Sequence, residues 1–345
     1  MRRLRILFFL LGSRNKASSR VRGFWIADEL TRLGSKCMIV CGNDRLSFLR
    51  CLIRLLWCNT IYIQKRCSRW DYYLLRLADL LRKRTIYDID DAYSRVKSQN
   101  TLRNIKRIMK NASAVTVGSN NLLEFAKQYQ ENTYYIPTSI KLENYQLPER
   151  KHESAPVCLG WIGNGAHYCR DLIEILKEPL KEIAAQHKIR LKLVGVCKQK
   201  VLYQEFANIP GLETIFIDSI DWADPAEVRK AMLDFDIGLY PVHANDFNLY
   251  KCGFKALEYM ALGIPVVASP VGANSYVVNQ DVDGYHANGK KEWVDSLSSL
   301  ITNQSARKNM GQAGRLKVER QYNISESAKK MARIMAALKH RKFYD

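Results

Sequence analysis

The chain has 345 residues, 47% of them hydrophobic and 26% charged, with 54 Lys and Arg against 34 Asp and Glu and a formal charge of +20. That length calls for two domains, and that composition excludes a disordered chain. No apolar run approaches the roughly 18 residues that a membrane-spanning helix needs, so none is predicted. Along the chain, β-branched or apolar runs alternate with helix-length segments. They fall at 4–10, 36–41, 60–63, 85–88, 114–118 and 134–137, then at 157–163, 190–196, 213–217, 236–242, 265–269 and, more weakly, 284–287. Strands alternating with helices predict an α/β fold of parallel sheets covered on both faces. The polar, Pro-containing stretch at 147–156 divides the series into two doubly wound domains, 1–150 and 151–325. Apolar residues at helical spacing in 325–339 predict a closing helix within a segment 326–345, expected to pack back towards the first domain. Ligands of open α/β sheets bind at the carboxyl ends of the strands, which places the expected site in a cleft between the two domains.

The opening run MRRLRILFFLLGS has the basic-then-apolar order of a secretory signal. Its apolar part spans only about seven residues and no small-residue cleavage site follows, so it reads as the first buried strand. Nine cysteines without a CxxC pair argue against a disulfide framework or a zinc site, and for a reducing compartment. The positive charge is concentrated, with 19 Lys and Arg against 5 Asp and Glu in residues 1–84. Such a field predicts an anionic partner. Two amphipathic helices are expected there, at 45–58 and 70–84. In the second, Trp70, Tyr73, Leu74, Leu77 and Leu81 form the stripe expected to cover the sheet, with Arg76, Asp79 and Lys83 facing away. Arg45, Arg50, Arg54 and Trp57, then Lys65, Arg66, Arg69 and Trp70, set cations beside interfacial aromatics, the pattern of contact with an anionic membrane surface. No nucleic-acid-binding motif accompanies the charge, so no nucleic-acid partner is expected.

The most informative segment is KCGFKALEYMALGIPVVAS, 251–269, which reads as a loop, a helix, a Gly263 stop and a buried strand. At the helix start Gly253, Phe254 and Lys255 offer backbone amides and a cation, an arrangement that holds a phosphate or diphosphate. Glu258, one turn further, can accept hydrogen bonds from a diol such as a ribose. A glycine-rich turn, Gly163, Asn164 and Gly165, follows the first strand of the second domain. In the first domain Asp88, Asp90 and Asp91 follow the fourth strand, where a general base, an acceptor-hydroxyl contact and a helix cap are all compatible with them. The turn after the first strand contains Gly12 and Ser13, with Arg20 and Arg22 behind it, facing either an acceptor phosphate or solvent. His167 and His243 near loop ends read as structural or solvated before catalytic, and no chemistry is assigned to Asp218 or Trp222.

The segment 255–267 (KALEYMALGIPVV) resembles the donor-site segment of the GT-B glycosyltransferases of the large retaining family usually numbered four. The resemblance extends through 114–120 (AVTVGSN), 135–145 (YIPTSIKLENY), 159–163 (LGWIG), 193–195 (LVG), 236–241 (DIGLYP), 271–273 (VGA) and 283–285 (DGY). It implies two Rossmann-like domains and transfer of a sugar from a nucleotide diphosphate donor, with retained configuration and with neither metal nor cofactor. Position by position, Glu258 matches the second Glu of the family's E-x7-E motif, the ribose contact, while the first falls at Tyr250, a departure. Gly253, Phe254 and Lys255 match the helix start that cradles the diphosphate. Gly163, Asn164 and Gly165 match the donor loop, and Gly195 lies in the matching LVG segment. Arg170, with Lys255 or Lys251, would stabilise the departing diphosphate. Gly12 and Ser13 match the acceptor loop, followed by Arg20 and Arg22. Asp90 and Asp91 stand where relatives carry His-Asp, as acceptor-side catalytic candidates. The resemblance thus implies a UDP- or GDP-sugar donor and a lipid-linked or polysaccharide acceptor of the cell envelope, met on the cytoplasmic side of a membrane with which the protein associates peripherally. Two alternatives stay open, a sugar-nucleotide epimerase of the same fold and a catalytically weak nucleotide-sugar-binding scaffold.

Overall fold

A computed structural model describes residues 4–90, 98–147 and 156–338. Its described strands form two six-stranded sheets, all parallel. The first contains β1 (Arg5–Leu10), β2 (Lys36–Cys41), β3 (Thr60–Gln64), β4 (Arg84–Ile89), β5 (Ala114–Val117) and β6 (Thr133–Tyr135), in the order β2-β1-β3-β4-β5-β6. The second contains β7 (Val157–Ile162), β8 (Ile189–Val194), β9 (Leu212–Ile217), β10 (Ile237–Tyr240), β11 (Val266–Ala268) and β12 (Gly284–His286), in the order β12-β11-β10-β7-β8-β9. Strands covered on both faces are apolar through their middles, as β1 and β3 are, with Ile6, Phe8, Ile61 and Ile63 wholly buried. The strand order reverses between β1 and β3 in one sheet and between β7 and β10 in the other. These are the positions where doubly wound sheets open a crevice for ligand.

The chain divides into two compact units, Met1–Lys141 with Leu249–Cys252 and Tyr322–Asp345, and Leu142–Asn248 with Gly253–Gln321. The boundary expected at 150 lies outside the described residues, and the units part after Lys141. Helix α1 (Trp25–Arg32) packs in the first unit against the helix Ile324–Ala337. That late segment is tied in by Ile140 N–H to Tyr322 O at 2.7 Å, Ile324 N–H to Ile140 O at 2.9 Å and a 2.7 Å contact between the Ser139 and Ser327 hydroxyls.

Helix α2 (Arg45–Leu55) packs on β1 and β2 and helix α3 (Arg69–Leu80) on β4 in the first unit, and the orientation of α3 corrects the sequence expectation. Its buried residues are Asp71, Leu74, Leu75, Ala78 and Asp79, so of the predicted stripe only Leu74 points inward. Asp71 tolerates burial because Arg66 Nε lies 2.6 Å from its Oδ1, Ser68 N–H donates to its Oδ2 at 2.8 Å, and its own N–H reaches Ser68 Oγ. Arg66 is itself buried, over the Phe9 ring at 3.6 Å, and is unavailable to a membrane surface. Three thiols, Cys51, Cys58 and Cys158, are buried, and desolvation pushes their pKa values up to about 12, about 11 and about 12. At pH 8 the thiolate fraction is then on the order of one in a thousand or less. Iodoacetamide at pH 8 should leave these three unmodified in the native protein and modify them in urea, as read by peptide mass spectrometry. Native-state labelling as fast as in urea would contradict their burial.

Candidate functional site

The second unit concentrates the predicted donor residues at the β7/β10 switch. Gly163 N–H donates to Val194 O at 2.9 Å and Gly165 N–H to Gly195 O at 2.7 Å, lacing the turn after β7 to the turn after β8. Gly195 has φ +85°, and a Cβ there would collide with the Gly163 carbonyl, so both the backbone and the close approach require glycine. Asn164 caps the helix α4 (Gly165–Ala184), its Oδ1 accepting from His167 N–H at 3.2 Å. The side chain predicted to touch donor is therefore occupied in starting α4, and His167 contributes its backbone to the cap.

Helix α5 (Phe254–Ala261) starts at Gly253, which adopts φ +68° and provides no side-chain cap. The positive end of the helix dipole lies at this start, where an anion is favoured. Tyr259 anchors α5: its buried hydroxyl accepts from Ile162 N–H at 3.1 Å and donates to Leu239 O at 3.2 Å. Lys255 then projects towards the switch. Its Nζ lies 3.8 Å from the Tyr168 ring centroid and 5.0 Å from that of Tyr240, and a Cβ on Gly163 would stand only 2.6 Å from its Cε. Two aromatic faces hold the ammonium. One turn on, Glu258 Oε1 accepts from Tyr145 O–H at 2.7 Å. Residues 163, 255 and, through the laced turns, 165 and 195 are brought together, with Phe254 and Glu258 on the same helix. Tyr145, Tyr168 and Tyr240 were not anticipated, although Tyr168 lies one turn behind the GxG and Tyr240 ends a predicted strand.

Other expectations are placed differently. The Arg170 side chain is 81% exposed, and its Nε lies 2.8 Å from Glu174 Oε1, whose partner oxygen is 3.0 Å from His243 Nε2. Arg170 is thus held along the outer surface of α4, its ion-pair partner lying one helical turn away. Lys251 belongs to the 249–252 segment of the first unit, where Tyr250 O accepts from Ser119 Oγ at 3.0 Å. Asp218 Oδ1 accepts from Lys198 N–H at 2.7 Å and Tyr203 O–H at 2.8 Å, which supports a turn in which Cys197 and Lys198 are both left-handed. Trp222 flanks Gly195.

In the first unit the turn after β1 is tied to the end of β3, since Gly12 N–H donates to Ser19 Oγ at 3.1 Å and Ser19 O–H to Gln64 Oε1 at 3.2 Å. Ser13 O accepts from Lys16 N–H at 3.1 Å. Arg20 is half-buried, with Nη1 donating to Arg14 O at 2.9 Å. Arg22 corrects the sequence expectation of an acceptor contact. It is buried, its Nε and Nη2 grip Asp88 at 2.9 and 2.6 Å, and its Nη1 donates to Ile136 O at 2.8 Å. Burial opposes the charge, but Asp88 outweighs it and raises the guanidinium pKa. Thr116 O–H completes the pair at 2.7 Å from Asp88 Oδ1. Asp90 is 7% exposed, and its Oδ1 lies 3.2 Å from Lys65 Nζ. Lys65, expected at a membrane surface, instead adopts φ +54° at the carboxyl end of β3 and turns towards Asp90. Asp91 lies outside the described residues.

Residues 156–303 match the family described as "Glycosyl transferases group 1". The match contains the GxG turn, the β7/β10 switch and all of α5. Among solved structures, Anabaena HepE in complex with UDP and glucose superposes with a TM-score of 0.74 at 14% identity, covering 97% of this chain and 100% of that one. A glycosyltransferase from Rickettsia africae gives 0.76 at 13% identity, covering 98% and 99%. Sucrose-phosphate synthase from Thermosynechococcus elongatus gives 0.71 at 16% identity, covering 97% and 99%. No curated protein matches the chain. The fold is GT-B, two Rossmann-like units, as the sequence resemblance implied.

Proposed function

We propose that the protein transfers a hexose from a UDP- or GDP-linked sugar, with retained configuration, to a lipid-linked or polysaccharide acceptor in cell-envelope glycan synthesis. The observation that carries this reading is Lys255, held by Tyr168 and Tyr240 against Gly163 at the switch of the second sheet, behind an α5 start without a side-chain cap. Phe254 and Lys255 amides with the Lys255 ammonium neutralise the diphosphate as it departs, a preorganised role of the kind that contributes most to many enzymes. Glu258, oriented by Tyr145, accepts from the ribose diol. A diphosphate oxygen takes the proton of the incoming acceptor hydroxyl, so neither an enzymic nucleophile nor a metal or cofactor is required. The first unit receives the acceptor near Gly12, Ser13 and Asp90, at the cytoplasmic face of the membrane. The glycosyl transferases group 1 match over the donor residues and the UDP and glucose held by Anabaena HepE support the donor class.

A thermal-shift screen of nucleotide sugars followed by turnover tests the reading. Glu258→Ala should weaken donor binding about tenfold, the effect of losing a charged hydrogen-bond acceptor, and Tyr145→Phe less, in the same direction. Unchanged binding in both Glu258→Ala and Lys255→Ala would remove the site from consideration. A new sugar nucleotide formed without any acceptor would mark an epimerase, and binding without turnover a scaffold.

A further inference from the structure

Nine of the sixteen exposed large hydrophobic side chains among the described residues fall between Leu46 and Leu81, on or beside α2 and α3. On α2 the buried positions are Ser47, Cys51 and Leu55, which turns Leu49 and Ile53 outward at 53% and 67% exposure, followed by Leu56 at 72%. On α3 the burial of Asp71, Leu74, Leu75, Ala78 and Asp79 leaves Trp70, Tyr73 and Leu80 outward at 59%, 51% and 66%. The two outward faces are continuous, because Phe48 of α2 meets Trp70 at 6.3 Å between ring centroids and Trp70 meets Tyr73 at 6.2 Å. An apolar surface of this extent marks a contact with something other than water.

The charge around it selects the partner. Residues 45–84 contain ten Lys and Arg and two Asp, and both Asp are buried. Arg45, Arg50 and Arg69 are exposed on the same helices, with Arg69 5.8 Å from the Trp70 ring. A second copy of the chain would meet this face with like charge. A nucleic acid would pair with the arginines and leave Leu49, Ile53 and Leu80 in water. An anionic bilayer satisfies both features, since its phosphates meet the cations and its acyl boundary takes the leucines, Trp70 and Tyr73. We propose that the outward face of α2 and α3 is a monotopic docking surface for an anionic lipid membrane. Unlike the sugar-transfer reading, it needs no donor or acceptor and is tested without either.

Flotation of the full chain with vesicles of phosphatidylcholine alone, or with about 30 mol% phosphatidylglycerol, reads the contact directly. Binding is expected to the anionic vesicles and to fall as salt is raised. Ile53→Ser/Trp70→Ser should weaken it at least about tenfold by removing buried apolar groups. Arg45→Gln, Arg50→Gln and Arg69→Gln should each weaken it about fivefold. Trp fluorescence should shift to the blue on adding anionic vesicles, and Trp70→Phe should remove most of that shift. All these positions are exposed, and unchanged thermal unfolding of each variant separates loss of docking from loss of fold. The proposal is overturned by absence of binding, by equal binding of Ile53→Ser/Trp70→Ser, by a dimer that this substitution dissolves, or by DNA binding at physiological salt that the arginine variants abolish.

Discussion

Replacing Lys255 with alanine is expected to lower kcat/KM for sugar transfer by about two to three orders of magnitude, the usual consequence of removing one preorganised charge from a transition state. The unfolding transition should stay near that of the parent chain, because the ammonium rests on ring faces and the α5 anchor is Tyr259, not Lys255. The loss should lie mainly in kcat, since the diphosphate gains charge as the glycosidic bond breaks. Lys255→Arg keeps the charge on a broader, planar group and should recover part of the rate. Steady-state kinetics with the donor identified by thermal shift decides this. An alanine variant with parental kcat would place the leaving-group cation elsewhere, and Lys251 would then be the next residue to substitute.

Arg22→Met is expected to cost about 3–5 kcal/mol of stability, because it leaves the Asp88 carboxylate buried without its cation. Asp88 is wholly buried between Arg22 and Thr116, so no solvent can replace the lost partner. The transition to follow in urea is that of the first unit. Arg22→Met/Asp88→Leu should regain most of the loss, since an apolar pair of similar volume is often as stable as the ion pair it replaces. A single variant as stable as the parent would mean that the pair is hydrated in solution.

The sheets were largely legible in the sequence because β-branched runs bounded by helix-length segments carry their own punctuation, and the strands from β1 to β12 all fall at predicted runs. What periodicity could not decide is which of two apolar stripes on one helix faces inward. Helix α3 has both, and the choice is set by a long-range fact, the buried pairing of Asp71 with Arg66, which admits an acid to the core and turns Trp70 outward. Arg22 was misread for a similar reason. Its partner is 66 positions away, and nothing local distinguishes an arginine that grips a buried carboxylate from one facing solvent. In the candidate site the helix start, the GxG turn and Gly195 were readable because each is a local signal carried by consecutive residues. Their aromatic support was not, since Tyr168 and Tyr240 reach Lys255 from two other elements.

The route of the chain through the two units bears on how such a protein can be recombined. It leaves the first unit after Lys141, returns for Leu249–Cys252 and returns again from Tyr322. No single crossover can therefore exchange one second unit for another. A cut near residue 141 would strip α1 of the helix Ile324–Ala337 and leave that helix, with Ala328, Met331 and Met335 uncovered, attached to the wrong half. The second unit would be exchanged as an insert, spliced in at both ends, and a chimera that respects only one junction inherits an incomplete first unit.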